Sequence, residues 1–138
     1  MERIFDAAPD DVADMVSHVA GQAVGAKVPD RRIPQIELAA EEIVVNIIKH
    51  AYKEKGGRIA IRTMEGEEMF RAEFEDNGDA FDPLSMDEPD VKLDLEERMP
   101  GGLGIMLVRK MMDEVAYRRD NDRNIVRIGV NKRLEQHV

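Results

Sequence analysis

Three short stretches put polar residues or glycines where secondary structure alone would not favour them. Glu42, Asn46 and His50 recur at four-residue spacing within an apolar run. On a helix, Glu42 and Asn46 would lie only about 40° apart around the axis. Asn is a mediocre helix former, because its amide competes for nearby backbone groups. The row offers a carboxylate, an amide oxygen and an imidazole to whatever the helix packs against; a polar flank facing water would use the same residues. Asp76 ends a run in which Phe70, Ala72 and Phe74 alternate with charged residues, so strand parity points it at the core. A buried carboxylate costs several kcal/mol unless strong donors meet it. It could accept from a ligand N–H group, or simply cap the turn at Asn77-Gly78. Gly101-Gly102-Leu103-Gly104 opens a third helical pattern. Glycine lets an anion approach the backbone, and first-turn N–H groups have no intrahelical acceptor, so this start suits phosphate. A flexible loop-to-helix junction is the plainer reading. Without a following Gly-Lys-Ser/Thr, the stretch is no P-loop, and it lacks the Rossmann spacing after a strand.

The elements that must position these residues follow from periodicity. Arg3-Ile4-Phe5 opens as a short strand. Pro9, Asp10 and Asp11 favour a helix start; Val12, Met15, Val16 and Val19 give it one apolar face, and Gly21 to Gly25 mark its end. A second helix is predicted from near Asp30 or Pro34 to about Lys53, stopped by Gly56-Gly57. Its stripe is Ile36, Ala39, Ala40, Ile43, Val44, Ile47, Ile48 and Ala51. The period then becomes two: a strand at Arg58–Met64, a turn at Glu65-Gly66-Glu67, and a partner strand at Met69–Asp76. Arg71, Glu73 and Glu75 share the second strand's other face. From Asn77 to about Pro100 no period survives, which marks a lid or binding loop. The third helix carries Ile105, Val108, Met111, Met112 and Val115 on one face. Strands around Val115–Arg119 and Asn124–Val130 close the chain, joined by Asp120-Asn121-Asp122. Together these predict an α+β protein: a two-layer α/β sandwich with a mixed, mostly antiparallel sheet and helices on one face. One domain over residues 1–138 is expected, without repeats or linker.

Composition narrows the function. The chain has no cysteine, which excludes disulfides, thiolate metal sites and thiol nucleophiles. A net charge of −9 argues against nucleic acid as a direct partner. Acid concentrates between Glu65 and Glu97, either as a solvated surface or as a docking face for a basic protein, while Arg109 to Arg133 leans basic. No apolar run approaches the roughly 18 residues of a membrane span, and the acid at Asp6 comes too early for a secretory leader, so a cytoplasmic protein is expected. The serines Ser17 and Ser85 lack triad context. The nine methionines read mainly as core filler.

Taken in order, Glu42 to Tyr52, Asp76-Asn77-Gly78-Asp79-Ala80-Phe81-Asp82-Pro83 and Gly101-Gly102-Leu103-Gly104-Ile105 resemble the asparagine box and the two glycine boxes of GHKL ATPases. That set is shared by histidine kinases and gyrase. The short length, the Asn-x-x-x-His-Ala-Tyr ending and the Asp-Asn-Gly-x-x-Phe-Asp-Pro form are most similar to the anti-sigma-factor serine/threonine kinases. The resemblance implies the Bergerat, histidine-kinase-like ATPase fold, with an ATP lid over about residues 79–100. It implies that Asn46 offers its amide oxygen to Mg²⁺ and that Glu42 is the general base. Asp76 would accept from the adenine amino group and Gly78 would leave room for the ring. Gly101, Gly102 and Gly104, with the N–H groups around Leu103, would hold the ATP phosphates, with His50 and Arg98 also at the cofactor. Two departures stand out. Ala80 replaces a frequent glycine, and the late strand reads Asn124-Ile125-Val126-Arg127 where many members place a Thr near adenine.

The implied activity is an ATP- and Mg²⁺-dependent protein serine kinase acting in transcription regulation. It would phosphorylate a STAS-type anti-sigma-factor antagonist, hold a sigma factor, and form a homodimer on the sheet or the opening strand. A nucleotide-gated binding module with little kinase activity would use the same residues. The ATP-binding part of a histidine kinase system is the third reading. For that, His18 is the only N-terminal phosphoacceptor candidate, and its flanks carry neither an adjacent acid nor a following proline.

Overall fold

A computed structural model of the chain describes residues 1–85 and 102–133. Most of the expected lid, with Arg98 and Gly101, lies outside the described residues. Strands β1 (Glu2–Asp6), β2 (Arg58–Glu65), β3 (Met69–Asp76), β4 (Glu114–Asp120) and β5 (Arg123–Asn131) form one five-stranded sheet in the order β1-β2-β3-β5-β4. The sheet was expected to be mostly antiparallel with a mixed component; every pairing among the described residues is antiparallel. Hairpins explain this, because two of the four pairings join strands only a few residues apart. The β4–β5 turn is Asn121-Asp122, with φ of 50° and 62°, the left-handed pair that a tight hairpin needs and that Asn and Asp tolerate.

Strand parity sorts the sheet into two faces. Ile59 and Ile61 of β2, Phe70, Ala72 and Phe74 of β3, and Val126, Ile128 and Val130 of β5 are buried beneath the helices. Above them lie α1 (Val12–Gly25), which follows a 3₁₀ turn at Pro9–Asp11, then α2 (Ile33–Asn46) and α3 (Gly102–Met111). Met15, Val19 and Ala23 of α1 and Ile36, Ala39, Ala40, Ile43 and Val44 of α2 complete the core. None of the described helices is long and apolar enough to cross a membrane. Val115 was assigned to the buried face of the third helix as well as to a strand. It stands on β4, because α3 stops at Met111, where Arg32 donates to the Met111 carbonyl at 3.0 Å and to Asp113 Oδ2 at 3.2 Å.

The second helix does not run evenly to Lys53. After Asn46 it widens into a π-helical turn at Ile47–Ala51, with the Tyr52 N–H donating to the Ile47 carbonyl at 3.0 Å. Lys53 and Glu54 then take left-handed backbone, at φ of 50° and 63°, ahead of Gly56. Single π turns inside helices concentrate at functional sites. Here the turn carries His50 and Ala51, and the chain segment after β3 packs against it.

Candidate functional site

Asn46 is 2% exposed, and neither its Oδ1 nor its Nδ2 has a described hydrogen-bond partner. Leaving a buried polar group unpaired costs about 1–3 kcal/mol, so such an amide is expected where something else completes it. One turn earlier, the half-buried Glu42 has its Oε2 enclosed, with no hydrogen-bond partner among the described residues. Burial, aided by Glu41 and opposed by Lys49, raises its pKa above the usual carboxylate range. His50 stacks on Phe81, with ring centroids 4.7 Å apart and planes 23° from parallel, and its Nε2 has no partner among the described residues either. The plain reading of this row, a polar flank in water, does not describe Asn46.

Asp76 is 3% exposed, as strand parity predicts. Its Oδ1 accepts twice at 2.9 Å, from the Gly78 N–H and from Asn124 Nδ2. It therefore both caps the turn and lies inside the molecule; the two readings of the residue were not exclusive. Burial pushes its pKa up, against the hydrogen bonds from Asn124 and Gly78 and the charge of Arg119. A side chain at Gly78 would place its Cβ 2.5 Å from the Ala51 carbonyl oxygen, to which the Asp79 N–H donates at 2.9 Å. Only glycine lets the chain lie this close to the π turn. Tyr52 ties the same corner: its hydroxyl accepts from the Asn77 N–H at 3.1 Å and donates to the Arg58 carbonyl at 2.5 Å.

Gly102, Leu103 and Gly104 form the first turn of α3. A Cβ at Gly104 would overlap the Glu42 carboxylate, so the glycine permits direct packing of this helix tip on Glu42. Two motifs far apart in sequence thus meet one stretch of the second helix and its π turn. The α3 tip touches Glu42, the Gly78 turn touches Ala51, and Phe81 lies on His50.

Sequence reasoning missed Asn124, which it named only as the start of a strand and in a stretch lacking threonine. Asn124 is 1% exposed and uses all its hydrogen-bonding capacity. Nδ2 donates to Asp76 Oδ1 and to the Asp79 carbonyl at 2.8 Å; Oδ1 accepts from the Phe81 N–H at 3.2 Å and the Tyr117 hydroxyl at 2.6 Å. A signal was present: by parity Asn124 shares the inner face of its strand with Val126, Ile128 and Val130, and is the one polar side chain of that set.

This helix-over-sheet arrangement is that of a histidine kinase-like ATPase domain, and the family model of that description matches residues 5–130. The chain belongs to this family. Among its relatives, the protein named "Serine-protein kinase RsbW" from Listeria monocytogenes serovar 1/2a is 31% identical over 99 residues, 68% of this chain and 63% of the relative. The protein of the same name from Staphylococcus aureus strain bovine RF122 is 34% identical over 95 residues, 64% of this chain and 60% of the relative. The matches span less than two thirds of each relative's length. The blue-light activated histidine kinase of Erythrobacter litoralis shares the fold, with a TM-score of 0.56 at 22% identity, over 89% of this chain and 40% of that protein.

Proposed function

We propose that the chain is an ATP- and Mg²⁺-dependent protein serine kinase that acts as an anti-sigma regulatory factor and phosphorylates a STAS-type antagonist. Family membership and relatives named as serine-protein kinases support the activity class. The observation that carries the reading is Asn46: an amide buried in the second helix whose two polar atoms meet no partner among the described residues, one turn from a carboxylate of raised pKa.

In this reading Asp76 accepts from the exocyclic amino group of adenine, and Gly78 keeps the turn close enough for the ring to enter. The N–H groups of Gly102, Leu103 and Gly104 at the start of α3 take phosphate oxygens, joined by Gly101 and Arg98. The orphaned Asn46 Oδ1 is a hard neutral donor, which fits Mg²⁺ with remaining ligands from phosphate and water; the bound ion would neutralise phosphate charge. His50 lies beside this row. Glu42 takes the proton of the attacking serine hydroxyl as the new O–P bond forms and the bond to ADP breaks. A raised pKa suits a base that must hold that proton through the transfer. The sigma factor, the homodimer and a cytoplasmic location belong to the same proposal.

Labelled ATP incubated with the chain and the antagonist encoded beside it should label the antagonist on serine. Glu42→Gln should lower transfer on the order of 100-fold or more while ATP affinity, read by calorimetry, changes little. Transfer at the wild-type rate would remove Glu42 as the base, and failure to bind ATP would sink the whole reading. ATP-dependent capture of the antagonist without transfer would favour the gated binding module instead.

A further inference from the structure

Asn124 is more than a satisfied core amide. Three of its four hydrogen bonds, to Phe81, Asp76 and Asp79, determine which way the amide faces. Reversed, its Nδ2 would meet the Phe81 N–H, donor against donor, and its Oδ1 would meet the Asp76 carboxylate and the Asp79 carbonyl. The Tyr117 hydroxyl, on β4, serves either sense of the amide and anchors Asn124 in place with a fourth hydrogen bond. Asp76 Oδ1 is thereby committed to two donors, the Gly78 N–H and Asn124 Nδ2, while no described donor meets Oδ2.

We infer that Asn124, held by Tyr117, is the positioning residue that keeps one oxygen of Asp76 occupied and presents the other as a pure acceptor, so that the pocket selects a 6-amino purine over a 6-oxo purine. This rests on the reading of Asp76 as the base acceptor and adds the residues that set its selectivity. An acceptor aimed at the base rewards an amino group and repels a carbonyl oxygen in its place. An aspartate free to rotate, or to become protonated and donate, would lose that discrimination. The same amide holds the Asp79 carbonyl and the Phe81 N–H, so the acceptor and the chain leaving β3 form one unit.

The test compares binding of ATP and of inosine triphosphate, which carries a 6-oxo group, to the full chain by calorimetry. Wild type should prefer ATP, and Asp76→Asn should abolish the preference. Asn124→Leu, with the same branched outline and no polar atoms, should cut the ATP-to-inosine ratio about tenfold, and Tyr117→Phe about threefold, with a cooperative thermal transition retained. Should Asn124→Leu fail to fold, Tyr117→Phe, which loses only a hydroxyl, decides alone. Ratios within about twofold of wild type in the folded variants, alongside a lost preference in Asp76→Asn, would overturn the Asn124 assignment and leave the base reading intact. A wild type that does not prefer ATP, or an Asp76→Asn that still does, would overturn the base reading itself, and this inference with it.

Discussion

Glu73 and Asp76 are both buried acids on β3, 5% and 3% exposed, yet they lie on opposite faces of the sheet and are met by different chemistry. Burial pushes each carboxyl up. At Glu73 this is outweighed by Arg127, whose Nη2 is 2.7 Å away, and by Arg118 at 3.3 Å, and its pKa ends below the usual range. Arg62 adds a third guanidinium at 3.5 Å. Among the described residues, Asp76 has only neutral donors within hydrogen-bonding distance, and its pKa ends above that range. A buried acid surrounded by arginine has its charge neutralised within the protein and ties strands together. One met by neutral amides here has its second oxygen met by no described donor.

The sharpest way to break this contrast is Asp76→Asn. It should weaken ATP binding on the order of 100-fold, the scale of a lost hydrogen bond to a charged acceptor, and leave the thermal midpoint at neutral pH equal to or above wild type. A lower midpoint with unchanged ATP affinity would make Asp76 structural, like Glu73. Next comes Glu73→Gln. Because its arginine partners are partly exposed, the loss should be about 1–2 kcal/mol, or about 3–8 °C in the midpoint, below the cost of breaking a fully buried pair. ATP affinity should stay within about twofold of wild type, since the side chain is on the face away from the helices.

The smallest effect is in the pH dependence, where the two acids carry opposite signs. Glu73, with a lowered folded pKa, contributes stability that is full above its unfolded pKa and is lost as pH falls through the folded value. The deficit of Glu73→Gln should therefore shrink in acid. Asp76, with a raised folded pKa, binds its proton more tightly in the folded state. Its favourable contribution is complete below its unfolded pKa and disappears as pH rises through the folded one. Any gain of Asp76→Asn over wild type should therefore grow from acid to neutral pH. Parallel midpoint curves for the two variants would remove the distinction.

Much of this was legible in the chain. The period of two across Arg58–Asp76 places Asp76 on the core side, and the helical stripe places Asn46 at its margin. Each of these features depends on residues within a turn or a strand of one another, which backbone geometry alone arranges. The π turn after Asn46 was not legible, because Lys53 and Glu54 bear no glycine or proline to announce the left-handed exit. Nor was the burial of Glu73, read as one charged residue among three on an outer face. Its covering arginines come from β2, β4 and β5.

By itself, then, the sequence determined which residues face inward, where the helices and strands lie, and, through three ordered motifs, the family. Only the tertiary structure decided what each inward-facing polar group meets. It set Asn124 on Asp76 across 48 positions and packed the tip of α3 on Glu42. Periodicity is a property of neighbouring residues, whereas the charge state and free valences of a buried group depend on partners that only chain folding brings within about 3 Å.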